Sequence, residues 1–254
     1  MNLYKLFLLF LIYAILGWII EVANSLIVHK KFVNRGFLIG PYCPIYGWGG
    51  VLITLFLTKY QESPIVVFVM GVFICAILEY LTSYIMEKLF KARWWDYSNK
   101  KFNINGRICL ETLIPFGLLG IVVIYITNPL INYLLSLLAF NVMKAISLSL
   151  FILFVFDTLV SFKIIDDFKL ESRQFKEKDN TEEISKKVRE ALTNRSPLGK
   201  RLVEAFPNVS AVLENVKKEI KKTQNDLKVA KKDLKKTQKK IKKMETKLKK
   251  SNKK

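Results

Sequence analysis

Asn34-Arg35-Gly36-Phe37-Leu38-Ile39-Gly40-Pro41-Tyr42-Cys43-Pro44-Ile45-Tyr46-Gly47-Trp48-Gly49-Gly50 lies between two long apolar runs. Its prolines remove backbone donors, and its glycines permit dihedrals that other residues avoid. A plain membrane-spanning helix does not begin this way. Irregular backbone at membrane depth persists only where protein or water satisfies its polar groups. The stretch therefore predicts a shaped, protein-lined entrance rather than a lipid-facing loop. The bland alternative is a turn that leads into a helix.

Outward from this stretch, apolar runs of spanning character cover 3–28, 46–57, 65–86, 108–127 and 142–162. A bilayer core takes about 20 residues of helix. The second run reaches that length only if the segment 41–47 is partly inserted. Residues 129–140 are apolar but too short to span, and predict an interfacial or re-entrant helix. The expected fold is all-α: a polytopic membrane bundle of about five transmembrane helices, with a helical cytoplasmic tail.

Positive charge orients the bundle. The connection after the first run carries Lys30, Lys31 and Arg35, and that after the third carries Lys88, Lys91, Arg93, Lys100, Lys101 and Arg107. The connection after the second run offers only Lys59, opposed by Glu62. The positive-inside rule places the two basic connections and the tail in the cytoplasm and the N-terminus outside. The expected location is the bacterial cytoplasmic membrane.

Glu21, Glu79, Glu111 and Asp157 each fall within a predicted span. At 1.5 Å per residue all four lie within roughly 5–11 Å of the cytoplasmic end. Acids inside a membrane are costly and usually face a protein interior or water. Arg35, Arg93 and Arg107, in the adjoining basic connections, supply opposite charge, and arginine grips carboxylates or phosphates through two parallel bonds. Together with Asn34, Tyr42, Tyr46, Asp96 and Asn103, these residues outline a candidate polar cavity open to the cytoplasmic side. The alternative is structural: arginine–glutamate pairs that hold the helices together, with Trp94, Trp95 and Tyr97 as interface aromatics.

The chain carries formal charge +20, and the charge is segregated. Up to Phe162, 12 Lys/Arg face 7 Asp/Glu; beyond it, 29 face 14. The expected organisation is a transmembrane domain over 1–165, a linker with short helices over 166–208, and a long basic helix over 209–254. In the linker, Pro197 suits the first turn of a helix and Pro207 ends it. In the basic helix, Leu213, Ile220, Leu227, Leu234, Ile241 and Leu248 recur every seven residues. The intervening row, Val216, Thr223, Ala230, Thr237 and Met244, is poorer. Two readings stand side by side: a coiled coil that pairs two copies of the chain, or a helix lying on anionic lipid through its lysines. For nucleic acid, nothing beyond charge speaks.

Cys43, Cys75 and Cys109 are odd in number and lack metal-site spacing, and His29 is the sole histidine. Neither a disulfide framework nor a metal or other cofactor is expected. Walker A, GxSxG and HExxH patterns are absent. Enzymatic activity is left undecided by the sequence, but a P-loop ATPase is excluded.

The motifs Gly17-Trp18-x-x-Glu21, Asn34-Arg35-Gly36-Phe37 through Pro44-Ile45-Tyr46-Gly47, and Glu79-Tyr80 with Glu87 are similar to those of a bacterial membrane family, the putative ABC-transporter type IV or CmpB-like permeases. So is Arg93-Trp94-Trp95-Asp96-Tyr97-Ser98 through Asn103, Gly106, Arg107 and Glu111. The likeness covers most of 5–165, and 197–207 resembles the tail of many members. It implies a transport-type membrane subunit that works with a separate ATPase. Two other functions remain open: an inner-leaflet enzyme acting on a phosphorylated or lipid-linked substrate, and a scaffold acting through its basic tail.

Overall fold

In a computed structural model of the chain, the described residues are 2–90, 92–174 and 197–206, with isolated positions 186, 190, 193, 210 and 211. Helix α1 spans Leu3–His29, α2 Pro44–Leu57, α3 Pro64–Phe90, α4 Leu110–Val122, α5 Asn128–Ser136, α6 Phe140–Gln174 and α7 Pro197–Ala205. Four two-residue strands accompany them: β1 Ala92–Arg93, β2 Asn103–Ile104, β3 Ile108–Cys109 and β4 Ser210–Ala211. β2 pairs with β3 to fold the connection between α3 and α4 on itself, and β1 pairs with β4. The long basic helix expected over 209–254, with its coiled-coil and lipid-surface readings, falls outside the described residues except at Ser210 and Ala211, which form β4.

Among the described residues, four helices are long and apolar enough to cross a membrane: Leu3–Val28, Pro64–Phe90, Leu110–Ser136 and Phe140–Lys163. The second apolar run forms only the 14-residue α2. Residues 129–140 were expected as a separate interfacial or re-entrant piece; instead the chain as far as Ser136 prolongs α4. The turn Val123–Thr127 widens into a π-helix and carries the chain past Pro129 into α5, so 27 residues run continuously. Proline lacks an N–H and crowds the preceding turn. A widened turn relieves that crowding, and Thr127 Oγ1 donates back to the Val123 carbonyl (3.4 Å).

The inserted loop explains why α2 can be short. Cys43 N donates to the Ala14 carbonyl in the middle of α1 (2.9 Å). Ala14 stands about 21 Å from the end of α1 near Val28, at 1.5 Å per residue. The chain after α1 thus climbs back into the bundle before α2 starts. From there α2 runs antiparallel to α1 with very close backbones. A Cβ on Gly17 would fall inside the Tyr46 side chain, and one on Gly50 inside that of Tyr13.

The remaining helices pack around this pair. Ser147 Oγ donates to the Tyr4 carbonyl (3.4 Å), and Phe7 and Phe10 meet Phe151 and Phe154 edge-on at 5.3 and 5.5 Å. α6 therefore runs parallel to α1. α3 and α4 cross antiparallel where Gly71 faces Gly117 and Gly120. The N-terminus of α1 and the C-terminal half of α6 lie at opposite ends of the bundle. The core divides in two. Leu8, Leu9, Leu11, Val51 and Ile131 fill one part, and Ile53, Leu57, Val67 and Ile124 the other.

Candidate functional site

The loop that follows Asn34 is held on both sides. On one side Asp157 of α6 accepts from Ile39 N (3.0 Å), Gly40 N (2.7 Å), the Tyr42 hydroxyl and Ser161 Oγ (2.9 Å). On the other side Arg201 of α7 donates to the carbonyls of Asn34 (3.5 Å), Gly36 (3.4 Å) and Phe37 (3.3 Å). Burial lowers the pKa of the Arg201 guanidinium and the Asp157 carboxylate opposes that shift. An acid thus takes the loop's amides and a base its carbonyls, which is the satisfaction that irregular backbone inside a membrane requires. Gly36, at φ +110°, supplies a turn that side chains resist. Asn34 braces the loop by accepting from Trp18 Nε1 (2.7 Å) and donating to the Ile39 carbonyl (2.9 Å).

Beside this clamp, Glu21 accepts from the Tyr46 hydroxyl (2.7 Å) and pairs with Arg35 Nε at 3.6 Å. Arg35 also donates to the Ala205 carbonyl. Phe37 anchors the loop among Phe90, Trp94 and Phe162 at 5.4–5.6 Å. Trp94 in turn meets Phe206 at 5.1 Å, so the segment after Pro197 is stitched to the bundle by both charge and aromatics.

A second cluster closes the C-terminal end of α3. Glu87 is buried and accepts from Arg107 (2.8 Å) and from two nitrogens of Arg93 (3.1 and 3.2 Å). Arg107, itself buried, also donates to Ser83 Oγ (3.1 Å) and lies over the rings of Tyr80 and Tyr84. Asp96 accepts from the amide and hydroxyl of Ser98 and from Arg93 (3.3 Å). Burial pushes its carboxyl up, but these bonds and the Arg93 charge outweigh it and the net shift is downward. Asn103 ties the tip, donating to the Lys100 carbonyl (2.7 Å) and accepting from Gly106 N (3.0 Å).

The twelve candidates therefore do not converge on one cavity. Asn34, Arg35, Tyr42, Tyr46, Glu21 and Asp157 surround the inserted loop. Arg93, Asp96, Asn103 and Arg107 shape the α3–α4 connection. Glu111 turns outward, where it pairs with Lys100 at 3.0 Å with both side chains at least half exposed. Arg201 and Ser161 were not among the candidates. Arg201 could have been suspected from an arginine on the strongly amphipathic α7.

Glu79 stands apart. It lines a groove of about 250 Å³ whose walls come from α1, α2, α3 and α4. The lips are Leu16, Ile19 and Ile20 on one side and Val122 on the other, all partly exposed. The groove thus opens sideways, between the exposed apolar residues of α1 and α4. Its lining is apolar apart from Glu79, Tyr13, Tyr46, Cys75 and Thr127. Glu79 is 5% exposed. Tyr97 donates to its Oε1 (3.2 Å), while Oε2 is buried without a hydrogen-bond partner. Burial, followed by the Glu79 charge, raises the Tyr97 hydroxyl above its ordinary pKa and keeps it a donor. Among the described residues no cluster of His, Cys, Asp and Glu could hold a metal ion.

The profile of a protein family described as Putative ABC-transporter type IV matches residues 8–162. The chain belongs to this family. No curated protein and no solved structure matches it. The matched range contains the inserted loop, both acid–arginine clusters and every residue of the groove; α7 with Arg201 lies beyond it. Family membership and the four apolar helices make the chain a multi-pass membrane protein with a general transport role.

Proposed function

We propose that this chain is the membrane-embedded permease-type subunit of an ABC-type transporter, and that its cargo meets it in the sideways groove at Glu79. The observation that carries this reading is a buried carboxylate with one oxygen unpartnered, at the wall of an apolar recess between α1, α2, α3 and α4. Ionisable groups inside membrane bundles mark transport pathways more often than they mark packing. The π-turn Val123–Thr127 borders the same groove, and such turns recur at working sites.

ATP hydrolysis must come from a separate subunit. The face built by the inner loops and α7 supports docking of that ATPase, with the basic connections on the cytoplasmic side by the positive-inside rule. The enzyme reading draws less support: Arg35, Arg93 and Arg107 are each engaged by carboxylates or carbonyls, and an incoming phosphate would have to displace them.

Purification of the intact chain from its own membranes in mild detergent tests the reading. The expected result is a nucleotide-hydrolysing subunit recovered in fixed proportion, with ATPase activity in the same fraction. An intact, folded chain that elutes without any ATPase would overturn the ABC version.

A further inference from the structure

We infer that the groove at Glu79 binds an apolar molecule bearing one protonated amine. The inference rests on the proposal that the groove receives cargo, and names the chemistry of that cargo. Three observations carry it. First, Glu79 is the single charged residue in the lining, and no described cation pairs with it. Second, its Oε2 lacks a donor while the neighbouring hydroxyls are committed elsewhere: Tyr46 to Glu21, Tyr97 to Oε1, and Tyr13 with Thr127. Third, the other walls are mainly aliphatic or aromatic, with Cys75 and Thr127 the exceptions, and the mouth opens between the exposed apolar residues of α1 and α4.

A buried carboxylate without a compensating charge is costly, and a hydrogen-bonded ammonium offsets that cost. A free carboxylate in the ligand would add like charge and is selected against. A hydroxyl would fill the donor gap without supplying charge. The size agrees with a short chain: 250 Å³ corresponds to about eight water-sized units at about 30 Å³ each. Longer chains extend through the mouth into lipid. If Glu79 meets a neutral amine as the acid, its proton passes to the amine nitrogen. If it meets an ammonium as the carboxylate, no proton moves. Both routes end in the same pair.

The test uses the complete chain in nanodiscs of neutral phosphatidylcholine, with radiolabelled octylamine as probe and octanol and octanoate as competitors. Wild type binds saturably, octanol competes at least tenfold more weakly than unlabelled octylamine, and octanoate does not compete. Glu79→Gln lowers affinity at least tenfold. Gly49→Leu does the same with the carboxylate intact. A Cβ at Gly49 meets nothing closer than Leu78 Cδ2 at 3.7 Å, so the larger side chain fills the groove without prising α1 from α2. Glu62→Gln, on the far connection, binds as wild type does. Thermal unfolding confirms that each variant is folded. Octylamine binding unchanged by either groove variant, or octanoate competing as well as octylamine, would overturn the inference. The assay contains no ATPase and no transport step. Failure here removes the amine and leaves the transporter reading to the purification above.

Discussion

Glu79 and Glu87 occupy the same helix, eight residues apart, and both are almost fully removed from solvent, at 5% and 2% exposure. Their surroundings differ. Glu87 has two arginines on it, one of them buried with it. Glu79 has one phenol and an oxygen with no partner. Two turns of α3 thus separate a charge built into the fold from a charge whose pairing is incomplete. Burial alone does not distinguish them. Counting the donors around each carboxylate does.

The comparison can be broken with the same substitution at both positions. Glu87→Gln keeps the volume but leaves the Arg107 guanidinium buried without its counter-ion. Losing one partner of a buried pair costs about 3–5 kcal/mol. The expected result is a marked fall in unfolding temperature, measured in detergent. A fall no larger than that of a surface substitution would remove Glu87 from the structural side of the comparison.

Asp157 sharpens the structural side. Asp157→Ala strands the amides of Ile39 and Gly40 and the hydroxyls of Tyr42 and Ser161. Each stranded group costs about 1–3 kcal/mol unless water reaches it. Water relieves part of that cost by opening the inserted loop. With Cys75 and Cys109 replaced, maleimide labelling of the buried Cys43 should then accelerate by at least tenfold. Unchanged labelling would show that Arg201 and Asn34 hold the loop without the acid.

Much of this was legible in the sequence. The prolines and glycines of 34–50 announced irregular backbone that needed protein around it, and the loop does enter the bundle to the depth of Ala14. Hydropathy located the long helices, and spacing placed four acids within the predicted spans. Three features escaped for physical reasons. Pro129 reads as a break because its penalty is local, yet a π-turn and the Thr127 hydroxyl absorb it. Glu111 shares its depth with other acids, but depth says nothing about rotation, and its place in the first turn of α4 points it towards Lys100. Arg201 meets the loop from more than 160 residues away, a separation no periodicity encodes. Asp157 was legible as an acid within a span but not as the cap of the loop, because amide donors leave no mark in a side-chain pattern.

Between the two extremes lies packing, which involves no charge. Gly17→Ala forces a methyl into the Tyr46 side chain, whereas Gly49→Ala meets only Leu78 at 3.7 Å. Overpacking of that kind costs about 1–3 kcal/mol. Thermal unfolding should therefore separate the two alanines clearly, with Gly17→Ala lower and Gly49→Ala close to wild type. Displacing Tyr46 should also loosen its bond to Glu21. Equal unfolding temperatures would mean that α2 slides on α1 without penalty, and the groove walls could not be treated as fixed.

The smallest expected effect belongs to Glu79 itself. Glu79→Gln replaces an acid whose second oxygen has no partner by an amide of the same shape. The Tyr97 hydroxyl still finds an acceptor, and the desolvated charge is gone. The lost interaction and the relieved penalty oppose one another, so stability should change by about 1 kcal/mol or less, in either direction. The same exchange of one oxygen for an amide nitrogen unfolds the bundle readily at Glu87 and leaves it standing at Glu79, where only ligand binding suffers. If Glu79→Gln instead destabilised the protein as much as Glu87→Gln, the missing donor would have to be supplied within the protein. Glu79 would then belong with Glu87 and Asp157 among the charges that hold the helices, and the groove would lose its claim to a ligand.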